Sequence, residues 1–237
     1  MPIPNRPGAA AHRLLHSIQE AGRPLRMTEI RALNLTPRTV AQAVEEGLVE
    51  VAARGHYVPA GAIPPEMRDY AELALRYPKG VFRGPTAAWL HGLIDEEPEV
   101  IELATPRSVS RPDSDADIRT ASGRQVYMPI LSDARFQWGV QAMASGPSGF
   151  CPPLAVTEPA RTVADLGFWR PESFGQPGQV PDAALVPALR RFLERGGLLD
   201  EVEEAARLLG VGEASRRAIL DTAAAEAGAE PMLLPGR

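Results

Sequence analysis

The tight turn Leu33-Asn34-Leu35, followed at once by Thr36-Pro37, limits what the N-terminal part of this chain can fold into. It separates two short helical patterns. Thr36 is a good N-cap, because its hydroxyl can accept an otherwise orphaned amide of the first turn. Pro37 suits the first helical position, where it has no amide to leave unsatisfied and a fitting φ. Beyond it Val40, Val44 and Leu48 fall on one stripe, while Arg38, Thr39, Gln42, Glu45 and Glu46 point elsewhere. Gly47 then stops the helix. Leu48–Val51 and His56–Val58 read as strands joined by Ala52-Ala53-Arg54-Gly55. Upstream, Ala9–Glu20 reads as a helix with Leu14, Leu15 and Ile18 inward, and Thr28–Ala32 as the next helix, with Ile30 and Leu33 joining the core. Helix, turn, helix and hairpin over residues 9–60 is the outline of a winged helix-turn-helix, in which the helix after the turn enters the major groove of DNA.

That outline assigns side chains. Arg38, Thr39 and Gln42 are expected at base edges, arginine suiting guanine and glutamine adenine. Arg26, from the helix before the turn, and Arg54, from the wing tip, are expected on phosphate. Charge supports contact with a polyanion at this end alone: residues 1–61 carry seven arginines against five acids, and the remainder carries 18 basic against 25 acidic residues. The alternative reading of the same outline is a protein-interaction module with no role on DNA.

With 237 residues there is room for one large domain or two small ones, and 44% apolar with 23% charged residues is the composition of a soluble globular protein. No apolar run is long enough to span a membrane. The N-terminus MPIPNRPGAAAHR lacks the apolar core of a signal peptide, which points to the cytoplasm. Cys151 is the only cysteine, so intrachain disulfides and a cysteine-based zinc site are excluded, and a buried or idle thiol is expected. His12 and His16 have metal-ligand spacing but no third ligand, and read as solvent-facing.

Ala60–Pro65 reads as a linker. The mixed α/β domain expected over 64–228 begins with a helix from Glu66 to Arg76 and a short strand at Val81-Phe82. A helix started by Pro85 and stopped by Gly92 follows, with Trp89 and His91 packing in the core, then a strand at Val100–Ala104. Thr105–Asp117 is a polar loop. Further strands are expected at 118–120, 125–130 and 154–156, residues 136–143 alternate weakly, and Thr157 is expected to cap a helix reaching Leu166. Residues 171–181 read as loop, and helices over 183–194, 198–209 and 213–227 form the helical C-terminal end. The fold class is therefore α+β.

Catalytic chemistry is not assembled in the sequence. Lys79 follows Tyr77 and Pro78, which matches neither a nuclease carboxylate–lysine pattern nor a phosphate-binding glycine loop. Asp113, Asp115 and Asp117 alternate as calcium loops do, but Ile118 and Arg124 occupy the glycine and final carboxylate positions. Ser148 lacks the last glycine of a nucleophile elbow. No catalytic residue, metal ligand or cofactor is assigned. The enzyme alternative is a metal-dependent nuclease using dispersed acids of the second domain. Arg161 and Asp165, four apart on one helix, read as an exposed pair worth a few tenths of a kcal/mol.

The order of a short winged helix, YPKGVFRGPTAAWLHGL at 77–93, a strand ending in ATP at 104–106, and VTEPARTVADL at 156–166 resembles the AbiEi family of antitoxins. The match runs over residues 9 to 195 and rests on order and spacing. It implies a transcriptional autorepressor of a type IV toxin–antitoxin pair, with operator DNA as partner. It also implies a second domain countering a nucleotidyltransferase-like toxin encoded nearby, with or without a stable complex. The block holding Arg161, Thr162 and Asp165 belongs to that second domain, as structural support or toxin contact.

Overall fold

Thr36 caps the helix after the turn: its Oγ1 accepts the Thr39 amide at 3.2 Å. The computed structural model describes residues 8–106, 118–131, 136–146, 149–168 and 182–213, together with 216, 217, 221 and 225. The alternating aspartates, Ser148, the 171–181 segment and most of the last expected helix lie outside them. The chain is mixed α+β, with two sheets among the described residues. No helix of these residues is long and apolar enough to cross a membrane.

Two compact units divide the chain. The first comprises the residues up to Gly80, Arg119–Arg124 and Ala142–Ala155, and the second takes the rest. The units do not divide at the expected 60–64 boundary. Ala60–Pro65, read as a linker, lies inside the first unit, where Ile63 is 2% exposed and clusters with Val58, Ala71 and Cys151.

In the first unit, α1 (Ala9–Ala21), α2 (Met27–Ala32) and α3 (Pro37–Glu45) accompany a three-stranded antiparallel sheet. Its strands are β1 (Leu25–Arg26), β2 (Val49–Ala53) and β3 (His56–Pro59), in the order β1-β3-β2. Asn34 adopts φ 57 in the α2–α3 turn, a left-handed conformation that a short polar side chain tolerates. The chain thereby reverses within the turn, and Leu35 drops into the core at 5% exposure. The inward stripe of α3 is Val40 and Ala43, both buried. Val44 was expected there and is exposed, because Val40 and Ala43 set the direction of the core and Val44 is turned about 100° from Ala43. Leu33, expected in the core, lies in the turn and is exposed too. A single-turn 3₁₀ helix and α4 (Arg68–Arg76) follow, with Tyr70, Ala71 and Leu73 buried.

The other sheet, most of whose residues belong to the second unit, has the order β6-β5-β4-β9-β8, with β7 also pairing β5. The strands are β4 (Val81–Phe82), β5 (Ile101–Pro106), β6 (Val126–Tyr127), β7 (Ile130–Leu131), β8 (Val140–Met143) and β9 (Leu154–Thr157). β4 runs antiparallel to β5 and parallel to β9, and β5 is parallel to β6 and β7. All six residues of β5 are buried, as a central strand covered on both faces requires. The helices are α5 (Gly84–Leu90), α6 (Pro159–Phe168), α7 (Asp182–Glu194) and α8 (Leu199–Leu208). Their apolar sides meet in one cluster including Ala88, Leu93, Val163, Leu189 and Val202. Thr157, expected as the cap of α6, is instead the last residue of β9. Its hydroxyl bonds the Thr162 hydroxyl at 2.7 Å.

Candidate nucleic-acid interface and a buried charge cluster

The residues assigned to base edges, Arg38, Thr39 and Gln42, all lie on the first two turns of α3. Arg38 is exposed and makes no hydrogen bond or ion pair among the described residues. Thr39 is half-buried and shares the cap, its Oγ1 lying 3.1 Å from Thr36 Oγ1. Gln42 Nε2 donates to Glu46 Oε1 at 2.8 Å, which uses one of the two amide hydrogens and leaves the carbonyl oxygen as an acceptor.

Arg26 and Arg54 are brought together at the hairpin. Arg26 was expected in the helix before the turn. It is the residue preceding that helix, at the end of β1, because Glu29 Oε2 accepts the Arg26 amide at 2.8 Å and fixes Arg26 as the cap position. Arg54 is exposed in the turn between β2 and β3. Between the two sits His56, which the sequence reading passed over. Arg26 Nε donates to His56 Nε2 at 3.2 Å, and His56 Nδ1 lies 3.3 Å from the Arg54 carbonyl. The signal was cross-strand register, Arg26 opposite His56, which no local pattern carries.

Glu29 is engaged from two sides. Arg23 donates to it at 2.6 Å, and this bond, followed by the Arg26 amide, holds its carboxyl down at about 2.

A cavity of about 310 Å³ also lies within the first unit, lined by Glu50, Arg68, Asp69 and Glu72 among others. Its carboxylates are occupied by the fold. Glu50 holds Arg68 at 3.0 Å, Asp69 accepts the Ser122 hydroxyl at 2.8 Å, and Glu72 accepts Arg76 at 2.9 Å and the Ala121 amide at 2.7 Å. These bonds tie the 119–124 segment to α4.

The second candidate, the Arg161–Asp165 block, lies in the second unit and differs from its expected form. The pair is buried, at 1% and 3% exposure, so it is not a surface i,i+4 contact. Asp165 Oδ1 accepts Arg83 NH2 at 2.9 Å, and Asp165 Oδ2 stands 3.7 Å from Arg161 Nε. Arg161 NH1 also donates to the Trp138 carbonyl. Thr162 bonds both the hydroxyl and the carbonyl of Thr157. All three side chains are therefore turned inward, and the contacts they make join α6 to the end of β4 and to β9.

Glu102 on β5 completes this region at 8% exposure, its amide accepted by Thr86 Oγ1 at 2.8 Å. Burial pushes its carboxyl up to about 8, opposed by Arg83 and reinforced by Asp165. Burial likewise raises Asp165, against the pull of Arg83 and Arg161, and lowers Arg161. His91, half-buried on the turn after α5, is lowered by burial and bonds the Thr157 carbonyl at 2.7 Å. Cys151 is a buried free thiol whose Sγ donates to the Ala62 carbonyl at 3.4 Å. His12 and His16 are exposed, the latter 3.2 Å from Glu20.

The architecture thus defines a mixed α+β protein whose N-terminal unit pairs three helices with a short antiparallel sheet. No protein-family model matches the chain, and no curated protein matches it.

Proposed function

We propose that the chain is a sequence-specific DNA-binding regulator whose N-terminal unit is a winged helix-turn-helix, with α3 as the reading helix and the β2–β3 hairpin as the wing. One observation carries this reading. α2, a left-handed turn at Asn34 and a capped α3 are followed directly by an antiparallel hairpin with Arg54 in its turn. Arg38 is exposed on the reading helix, and Arg26 and Arg54 are exposed at the hairpin, where base and phosphate contacts respectively are assigned. The antitoxin role, countering a nucleotidyltransferase-like toxin encoded nearby, rests on the order of sequence blocks shared with the AbiEi antitoxins. In that role Arg161, Thr162 and Asp165 are internal supports of the second unit.

The test is a mobility-shift titration of the full chain on its own upstream DNA against a scrambled duplex at about 150 mM salt, where non-specific binding is weakened. Preference for the upstream duplex supports the reading, and equal or absent binding sinks it. A protein-contact role for the same unit draws on a separate observation: Leu33 and Val51 are large apolar residues 47% and 55% exposed. Loss of toxin neutralisation in Leu33→Asp, with DNA binding intact, would favour that role.

A further inference from the structure

The imidazole of His56 links the side chain of Arg26 to the backbone carbonyl of Arg54, the two residues assigned to phosphate, and this inference rests on the DNA reading above. Arg26 and His56 are direct cross-strand partners of β1 and β3, and Arg54 lies two residues before His56 in the hairpin turn. A guanidinium has donors only, so the 3.2 Å bond from Arg26 Nε requires a lone pair on His56 Nε2. The proton of the ring must then sit on Nδ1, where it is donated to the Arg54 carbonyl 3.3 Å away. Both bonds exist together only on the neutral imidazole in that one tautomer.

We propose that His56 is a pH-sensitive positioning residue for the DNA backbone contact. Neutral His56 tethers Arg26 along the hairpin. Protonated His56 loses its acceptor, releases Arg26 and becomes a further cation on the same edge.

The surroundings set the direction. From β1 comes Arg26, and from the hairpin turn Arg54, both of charge like that of an imidazolium. From α2 comes Glu29, already engaged by Arg23 at 2.6 Å and by the Arg26 amide. β2 places Ala53 opposite His56. α1, which packs against β3, turns Leu14 and Ile18 inward and leaves His12, Arg13, His16 and Glu20 exposed. No carboxylate bonds the ring among the described residues, so the added charge is unmatched in the free protein and matched by a phosphate of bound DNA. Proton uptake and DNA binding therefore favour one another reciprocally.

The experiment is a pair of fluorescence-anisotropy titrations of the full chain on its upstream duplex, at about pH 8 and about pH 5.5. Each is run over a salt series, for the unaltered chain and for His56→Gln, whose side-chain oxygen can still accept from Arg26 but does not titrate. His12 and His16 are present in both proteins, so the difference between them isolates His56. The expected result is a gain in affinity on acidification about tenfold larger in the unaltered chain than in the variant. Its salt slope should steepen by about one to two units over the same change. In the DNA-free chain, the Arg26 Nε–H resonance should shift with pH in the unaltered protein and stay fixed in His56→Gln. DNA binding with the same pH profile in both proteins, or an Arg26 resonance that ignores pH, overturns the role of His56 alone. Absence of DNA binding at both pH values overturns the DNA reading and this role with it.

Discussion

Arg83 NH2 lies 2.9 Å from Asp165 Oδ1 across 82 positions of sequence, both side chains buried. The contact joins the residue after β4 to the middle of α6, and Arg161 stands on the other oxygen of the same carboxylate at 3.7 Å. A buried charge left without its partner costs far more than an exposed one.

Asp165→Asn removes the one charge between two buried guanidiniums and should cost about 3–5 kcal/mol. Arg83→Met should cost less, because Arg161 still compensates the carboxylate. Urea unfolding followed by tryptophan fluorescence ranks the two. An equal or larger loss in Arg83→Met would mean that Arg161 contributes nothing at its longer distance.

Glu102 makes stability fall with alkalinity. Its carboxyl lies at about 8 in the folded chain against an ordinary 4.5, so the folded state binds this proton more tightly. The resulting stabilisation is full below about 4.5 and is lost as pH rises through about 8, by up to roughly 5 kcal/mol. The difference in unfolding free energy between Glu102→Gln and the unaltered chain should therefore grow in the variant's favour from pH 5 to pH 9, taken as about the limits of that window. A flat difference would show Glu102 ionised at neutral pH.

Gly84 opens α5 at φ +55, and a Cβ there would lie 2.5 Å from Glu102 Oε2. Gly84→Ala should lower stability by about 1–3 kcal/mol through backbone strain and that clash. Thermal unfolding of Gly84→Ala, alone and with Glu102→Ala, separates the causes: the second change should relieve the clash and leave the strain. Full tolerance of alanine would show that β5 moves freely away from α5.

On DNA, Arg38→Ala should flatten the preference for the upstream duplex by about 1–3 kcal/mol. Arg54→Ala should weaken all duplexes alike and reduce the salt slope by about one unit. Salt-series titrations on upstream and scrambled duplexes distinguish the patterns. If neither change alters binding, α3 and the hairpin are not the docking surface.

What the sequence made legible was whatever depends on neighbours in the chain. Thr36-Pro37 places the start of α3, and Gly55 places the hairpin turn, because capping and tight turns involve residues a few positions apart. The burial of Arg161 and Asp165 escaped because it depends on Arg83, far upstream. Ile63 escaped for the same reason: the composition of 60–65 is that of a loop, yet Ala71 and Cys151 enclose it. His56 escaped because only strand register sets it against Arg26. Thr157 was misassigned as a cap because β9 extends through it, and a threonine ending a strand and one starting a helix look alike locally.

The first unit gathers its parts from distant stretches, and this governs when it can finish folding. Phe150 packs against both of its apolar clusters, Cys151 belongs to one of them, and Gly149 lies where a Cβ would come within 2.5 Å of the Gly22 carbonyl. A ribosome releasing this chain from its N-terminus therefore exposes α1, α2 and α3 long before the residues that close over them emerge. The hairpin and α3 should stay protease-sensitive in any nascent chain arrested before 149–155 emerges, and become resistant once that segment is out. The first unit is thus completed late, although most of its residues precede those of the second.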